Sequence, residues 1–176
     1  MCHYCGRVFK LPEKCPECGT GSLQLLGAGT EKIQEQVQEL FPDKVVGRFD
    51  LDTATSQKDI DKTIGDFEKG KTHILIGTQI LAKGLDFRNV GLVGVVLADT
   101  TLNIPDYRSS ERTYQLITQV AGRAGRGSGR SQVIIQTYEP EDQSILAAAK
   151  MDYEGFYETE LLHRRIMNYP PYSDII

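Results

Sequence analysis

Four cysteines near the start of the sequence have spacing suited to metal binding. Cys2 and Cys5 form one C-x-x-C pair, and Cys15 and Cys18 form a second. In a reducing compartment such pairs indicate a metal site rather than disulfides. Four sulfurs fill the tetrahedral sphere of zinc and leave no open position for water, so we predict a structural site. The alternative is four structural thiols without a metal, and His3 is read as a surface residue.

Two arginines stand in the segment QVAGRAGRG at 119–127. Arg123 and Arg126 are three residues apart, which places them on one side of a helix end. Guanidinium groups suit the charge on a transferring γ-phosphoryl group, as in an arginine finger. A solvated basic turn in a glycine-rich loop would explain the same pair.

A third polar segment, GTQILAKGLDF at 77–87, follows a predicted buried strand. Thr78 and Gln79 are expected at the carboxyl end of that strand, where ligands bind in open α/β sheets. The turn after them presents Lys83, Gly84 and Asp86. A hydroxyl and an amide suit a phosphate backbone, and a carboxylate suits a ribose hydroxyl.

A glycine-rich turn, GAGTE at 27–31, lies between a predicted strand and a predicted helix. Amides at a helix N-terminus attract anions, so Gly29 and Thr30 could hold a phosphate of a nucleotide or of DNA. A plain strand-to-helix turn with Thr30 as N-cap explains the residues equally well.

The elements that must position these residues alternate along the chain. Periodicity predicts a first helix that follows Thr30 and carries Ile33, Val37 and Leu40 on one face. It also predicts helices over 56–68 and 109–121 and a helical tail over about 141–167. Strands are predicted at 23–26, 45–49, 73–77, 90–97 and 132–137, those at 73–77 and 90–97 as apolar runs typical of buried parallel strands. Strand and helix in alternation indicate a doubly wound, mainly parallel α/β sheet flanked by helices.

The gross composition fits one such domain with a small appendage. The chain has 176 residues, 40% of them hydrophobic and 25% charged, and a formal net charge of −4. That balance argues against a protein that coats DNA passively. No apolar run approaches the roughly 18 residues of a membrane span and no signal segment opens the chain, so an intracellular location is expected. A cysteine directly after Met1 predicts a start inside a longer sequence.

Taken together, these segments resemble a known family. GTQILAKGLDF resembles motif V, and QVAGRAGRG motif VI, of superfamily 2 helicases. With GAGTEKI, the RFDLDT stretch at 48–53, the cysteine pairs and the YPPY ending at 169–172, they are similar to the PriA family of primosomal replication-restart helicases. The resemblance covers essentially the whole chain. It implies a partial zinc-binding insertion at 1–22, a RecA-like second motor lobe at 23–150, and a helical tail at 151–176 leading to a further domain.

The resemblance also implies roles for individual residues. ATP, with Mg²⁺, would lie between two lobes, with Arg123 and Arg126 at its γ-phosphate and Gln119 nearby. Gly84 and Asp86 would face the nucleotide. The residues expected along single-stranded DNA are Gly29, Thr30, Thr78, Gln79 and Lys83.

At the level of the whole enzyme, the resemblance implies 3′–5′ unwinding of stalled forks for primosome assembly. The expected partners are forked and single-stranded DNA, single-stranded DNA-binding protein and primosome proteins, in the nucleoid of a bacterial cytoplasm.

Two departures from the family pattern matter. The sequence has no G-x-x-x-x-G-K-[ST] segment and no D-E-x-H box, so the chain alone is not expected to hydrolyse ATP. The family carries four C-x-x-C pairs around two zinc ions, whereas this chain has two pairs. These would either bind one non-native zinc or leave the knuckle disordered. A different class of function, a zinc-ribbon module that binds DNA or protein on an inert α/β scaffold, is the alternative.

Overall fold

The computed structural model describes residue 12 and residues 14–20, 29–49, 57–78, 90–122 and 132–174. Its helices are α1 (Thr30–Leu40), α2 (Gln57–Glu68), α3 (Asp99–Leu102), α4 (Ser109–Ala121), α5 (Gln143–Lys150) and α6 (Tyr153–Ile166). Its strands are β1 (Val46–Phe49), β2 (Ile74–Gly77), β3 (Leu92–Val95) and β4 (Gln132–Ile135). None of the described helices is both long and apolar enough to cross a membrane.

The strands pair in parallel, as the alternating pattern predicts. β1 pairs with β2, with Val46 opposite Ile74, and β3 pairs with β4, with Leu92 opposite Gln132. The prediction of a single sheet is met only in part, because the described strands form two separate two-stranded ladders. The strand predicted at 23–26 lies outside the described residues.

The core of the second half lies on one face of the β3–β4 ladder. Ile117, on α4, is only 1% exposed, and the buried core also contains Ala98, Tyr114, Ile145, Ala148 and Phe156. Val95 and Ile135 pack against it from the strands. On the opposite face Leu92 and Ile134 are 58% and 57% exposed. The expectation that the 90–97 run is buried on both sides is therefore wrong for β3, because helices of the described residues cover one face.

Two details of the predicted helices are also corrected. Thr30 is not the N-cap of α1: Gly29 is, and its carbonyl accepts the first helical bond, from Ile33 N at 3.1 Å. The helical tail predicted at 141–167 is two helices. Met151 adopts φ +56° and ends α5, and Asp152 then begins α6 by accepting a hydrogen bond from Gly155 N at 2.9 Å.

Candidate functional site

The N-terminus of α1 lies at the carboxyl edge of the β1–β2 ladder. Glu31, in the first turn of α1, is 3.6 Å from the guanidinium of Arg48, near the end of β1. One turn further along the helix, Gln34 donates from Nε2 to the carbonyl of Val46, at the start of β1, at 3.2 Å. The helix therefore runs antiparallel to the strand. Gly29 is placed at the edge where parallel strands present their ligand-binding residues.

Thr78 reaches the same edge from the second strand. It follows Gly77, the last residue of β2, which stands opposite Phe49 at the end of β1, and it is exposed. Gly29, Thr30 and Thr78 thus share one edge of the ladder, an arrangement that suits a single extended ligand. Gln79 and Lys83, predicted to act beside them, lie outside the described residues.

Helix α4 presents Gln119 and leads into the predicted arginine segment. Gln119 is exposed in the last turn, and Gly122 closes the helix by donating from its N–H to Thr118 O at 2.9 Å. A Cβ on Gly122 would stand 3.3 Å from that same carbonyl, so a side chain fits only if the helix end shifts. The four other residues predicted to meet the nucleotide, Gly84, Asp86, Arg123 and Arg126, lie outside the described residues.

The middle of α4 is firmly packed. Thr113 and Ile117 are each 1% exposed, and the Thr113 hydroxyl donates to Ser109 O within the helix at 2.8 Å. Tyr114 stacks on Phe156 of α6, with ring centroids 4.3 Å apart and planes 4° apart. Helix α4 is therefore held by its buried face in the core of the second half.

Cys15 and Cys18 form the described part of the predicted knuckle. The chain turns between them, Gly19 donates from its N–H to Cys15 O at 2.9 Å, and Gly19 adopts φ +65°, which glycine tolerates without strain. The Thr20 hydroxyl donates to Cys18 Sγ at 3.1 Å. This contact is the main cause that lowers the pKa of Cys18 to about 7, with further lowering by Thr20 backbone and by Cys15.

The two thiols fit half of a zinc site, because the thiolate is the form that binds a metal and the C-x-x-C turn supplies two ligands. No group of three or more metal-ligating side chains occurs among the described residues, and Cys2 and Cys5 lie outside them. The predicted zinc therefore stays a proposal.

One buried carboxylate escaped the sequence-based prediction. Asp99 is 6% exposed, and its Oδ1 accepts from Thr137 Oγ1 and from Tyr138 N, each at 3.0 Å. It ties the turn after β3 to the turn after β4. Its only sequence signal is position, directly after a long apolar run, which does not distinguish a buried acid from an exposed one.

The family of the chain is established by comparison. Residues 28–128 match the model of the helicase conserved C-terminal domain. This chain belongs to that family of helicase domains, and the expectation of a helicase lobe is confirmed at this level.

The similarity extends to particular proteins. The chain is 50% identical over 171 residues to "Replication restart protein PriA" of Bacillus subtilis (strain 168), covering 97% of this chain and 21% of the relative. It is 48% identical to the protein of that name in a Synechocystis strain, over 99% of this chain and 21% of the relative. The Thermotoga maritima protein is 40% identical over 99% of this chain and 24% of its own length. The predicted resemblance to PriA is confirmed, and the chain spans about a fifth to a quarter of these relatives.

Proposed function

We propose that this chain is the second motor lobe of an ATP-dependent DNA helicase that unwinds stalled forks in the 3′–5′ direction for replication restart. The similarity to PriA proteins over nearly the whole chain carries the proposal. The lobe works inside a longer protein that supplies a first lobe with the phosphate-binding lysine and the acidic box. By itself it is inactive.

In this proposal the end of α4 serves the nucleotide. Gln119 is exposed and stands four residues before Arg123 in the sequence, and Arg123 and Arg126 stabilise the charge that develops on the γ-phosphoryl group. Gly84 faces the nucleotide, and Asp86 accepts hydrogen bonds from its ribose. The first lobe holds the phosphates and Mg²⁺, so hydrolysis requires closure of the two lobes on ATP.

The carboxyl edge of the β1–β2 ladder serves single-stranded DNA. The shared placement of Gly29, Thr30 and Thr78 supports this assignment, since backbone amides and hydroxyls are the donors that bind phosphates without reading sequence. Gln79 and Lys83 extend the same contact surface. Closure and reopening of the cleft then move the lobes along the strand.

Cys15 and Cys18, with Cys2 and Cys5, hold structural zinc in this proposal. Four sulfurs complete the coordination sphere and leave zinc no open position for catalysis. The partners are forked DNA, single-stranded DNA-binding protein and primosome proteins, with action in the bacterial nucleoid.

The arginine assignment is tested in the full-length protein by Arg126→Ala, with DNA-stimulated ATP hydrolysis as the measurement. We expect kcat to fall roughly 10³-fold, because an arginine finger contributes at least that much in rate. Arg130→Ala, four residues further in the same glycine-rich segment, is the matched control and leaves kcat unchanged. Equal turnover for Arg126→Ala and wild type would reject the motor role. It would favour the alternative, a zinc-ribbon module on an inert scaffold.

A further inference from the structure

Two tyrosines in the first half of α6 form an exposed aromatic surface. Tyr153 and Tyr157 are one turn apart on the helix, with ring centroids 6.0 Å apart and planes at 23° to each other. The two residues are 63% and 50% exposed. Tyr153 also lies 6.4 Å from the buried ring of Tyr114, which stacks on Phe156. The core therefore supports the exposed pair from behind, and the pair presents a fixed apolar surface to solvent.

The same part of α6 is strongly acidic. Residues 152–162 contain four acidic side chains and no lysine or arginine. Glu160 is bound to Arg164 of the same helix, with Nε 2.8 Å from Oε1. Asp152 caps the helix by accepting from Gly155 N. Burial is the main cause that raises the pKa of Tyr114, and the charge of Asp152 raises it further, so the field of this carboxylate reaches the aromatic cluster.

The other two acids, Glu154 and Glu158, lie in a row beside the tyrosines. Glu154 is three residues from Tyr157, and Glu158 follows Glu154 one turn later, so they share a neighbouring side of the helix. Both are exposed, and neither has an ion-pair partner among the described residues. The helix dipole favours an acid in the first turn, but a second like charge at i,i+4 weakens a helix. The stability of α6 alone does not account for this row.

An aromatic pair beside unpaired carboxylates suits the chemistry of arginine. The planar guanidinium stacks on tyrosine rings and binds a carboxylate through a fork of donors, whereas the ammonium of lysine is a compact, strongly hydrated charge. Bases of single-stranded DNA also stack on aromatic rings, but the carboxylates repel its phosphates. The residues that combine both properties form the aromatic–acidic face of α6: Tyr153, Glu154, Tyr157 and Glu158.

We propose that the aromatic–acidic face of α6 is a docking surface for an arginine-rich segment of a partner protein. The tyrosine rings stack against guanidinium groups, and the carboxylates neutralise their charge. Tyrosine suits such a role because it provides a large contact area and loses little conformational entropy on binding. The surface adds a protein partner to the lobe, and it does not depend on the motor function.

The test uses the full-length protein and a fluorescein-labelled peptide of alternating arginine and glycine, with binding followed by fluorescence anisotropy. We expect Tyr153→Ala and Tyr157→Ala each to weaken binding about twofold to fivefold, the effect of an exposed cation–π contact. Tyr157→Phe keeps the ring and should keep the affinity. Tyr138→Ala is the matched control, because Tyr138 is 73% exposed but follows β4, and it should bind as the wild type does.

Two comparisons separate docking from general attraction between a basic peptide and an acidic protein. The same peptide with lysine in place of arginine should bind more weakly to the wild type. The double variant Glu154→Gln with Glu158→Gln should weaken binding of the arginine peptide at least twofold, and this loss should shrink at high salt. Glu35→Gln with Glu39→Gln removes an exposed pair of the same spacing on α1 and should leave binding unchanged. Equal binding of the two peptides, or equal losses in the two double variants, overturns the proposal.

A photo-crosslinker shows directly what covers the face. With p-benzoylphenylalanine in place of Tyr157, irradiation should link the full-length protein to the arginine peptide. Links only to another segment of the same protein, or only to a second copy, overturn the proposal, because the face is then an internal or self-association interface. Links to single-stranded DNA but not to the peptide also overturn it, in favour of a nucleic-acid surface.

Discussion

At the scale of single residues, two largely buried charged groups, Asp99 and Arg164, have different sets of partners. One carboxylate oxygen of Asp99, Oδ1, accepts hydrogen bonds from Thr137 and Tyr138. The other, Oδ2, is buried without a hydrogen-bond partner among the described residues. Arg164 instead has carboxylate, carbonyl and aromatic partners. An unpaired buried oxygen lowers stability, whereas bonds to partners on several segments fix the geometry of a charged group. Arg164 therefore joins α6 to α4, while Asp99 joins the turn after β3 to the turn after β4.

Neither arrangement could be predicted from the sequence. Glu111 and Arg164 are 53 positions apart, and no local pattern indicates that they meet. The i,i+4 spacing of Glu160 and Arg164 is visible in the sequence, but it is equally common on solvated helix faces. Short motifs were more informative about the family of the chain, because Thr78 and Gln119 lie in segments whose residue order is itself specific.

Asp106 gives a prediction with a defined pH dependence. Its carboxylate accepts from Arg108 N at 2.9 Å and pairs with Arg112 at 2.8 Å, just before α4. The backbone hydrogen bond from Arg108 is the main cause that lowers the pKa of Asp106 below 3.8, and the charges of Arg112 and Arg108 lower it further. A lowered folded-state pKa gives stability that is present above pH 3.8 and lost as the pH falls through the folded value.

We therefore expect Asp106→Asn to melt at a lower temperature than wild type at pH 7. The difference should shrink as the pH falls below 3.8, where wild type loses the same charge. Thermal melts followed by circular dichroism at several pH values measure it. Asp174→Asn, at an exposed carboxylate near the end of the chain, is the control and shows no difference at any pH. A gap that does not change with pH would contradict the assignment.

At the scale of elements, prediction succeeded where periodicity is strong. Helix α4 spans Ser109–Ala121 as predicted, because its apolar residues recur at helical spacing over the full length. The prediction of one helical tail over 141–167 failed for a local reason. Met151 is an ordinary helix former, and its residue type does not indicate the left-handed backbone with which it ends α5. The residues from which the two helix starts could have been predicted are Asp142 and Asp152, which cap α5 and α6.

The turn between α5 and α6 predicts a stabilising substitution. Met151 adopts φ +56°, which costs a residue with a Cβ about 1–2 kcal/mol relative to glycine, and the residue is 56% exposed. Met151→Gly should therefore raise the free energy of unfolding by up to about 1 kcal/mol, because the greater freedom of glycine in the unfolded chain cancels part of the gain.

Urea denaturation measures this change. Met167→Gly is the matched control: Met167 also ends a helix and is 51% exposed, but it has φ −86° and so carries no strain to relieve. It should lower stability. If both variants shift the midpoint in the same direction, backbone strain at Met151 is not the cause.

At the scale of the whole molecule, the tail and the lobe share a core. A domain boundary at 150 is implied by the resemblance to the helicase family, and it stays a prediction. Phe156, beyond that boundary, is 7% exposed and belongs to the same buried cluster as Tyr114 and Ile117. The order of residue types along the chain cannot reveal this shared core, because the face of α6 that becomes buried is decided by α4 and α5. The packing indicates that α6 folds with the lobe.

Deletion of residues 151–176 tests whether the tail is part of that folding unit. We expect the shortened chain to be less stable than Phe156→Ala in the full 176 residues, since it loses Arg164 and the capped α6 as well as the ring stacked on Tyr114. Phe156→Ala alone should cost about 3 kcal/mol, the usual loss for a buried phenylalanine. Tyr157→Ala, at the next position but 50% exposed, is the control and should cost much less. Urea denaturation of all four proteins, followed by circular dichroism, ranks them. A shortened chain as stable as the intact one would place the domain boundary at residue 150. Helix α6 would then be a linker that contacts the lobe without stabilising it.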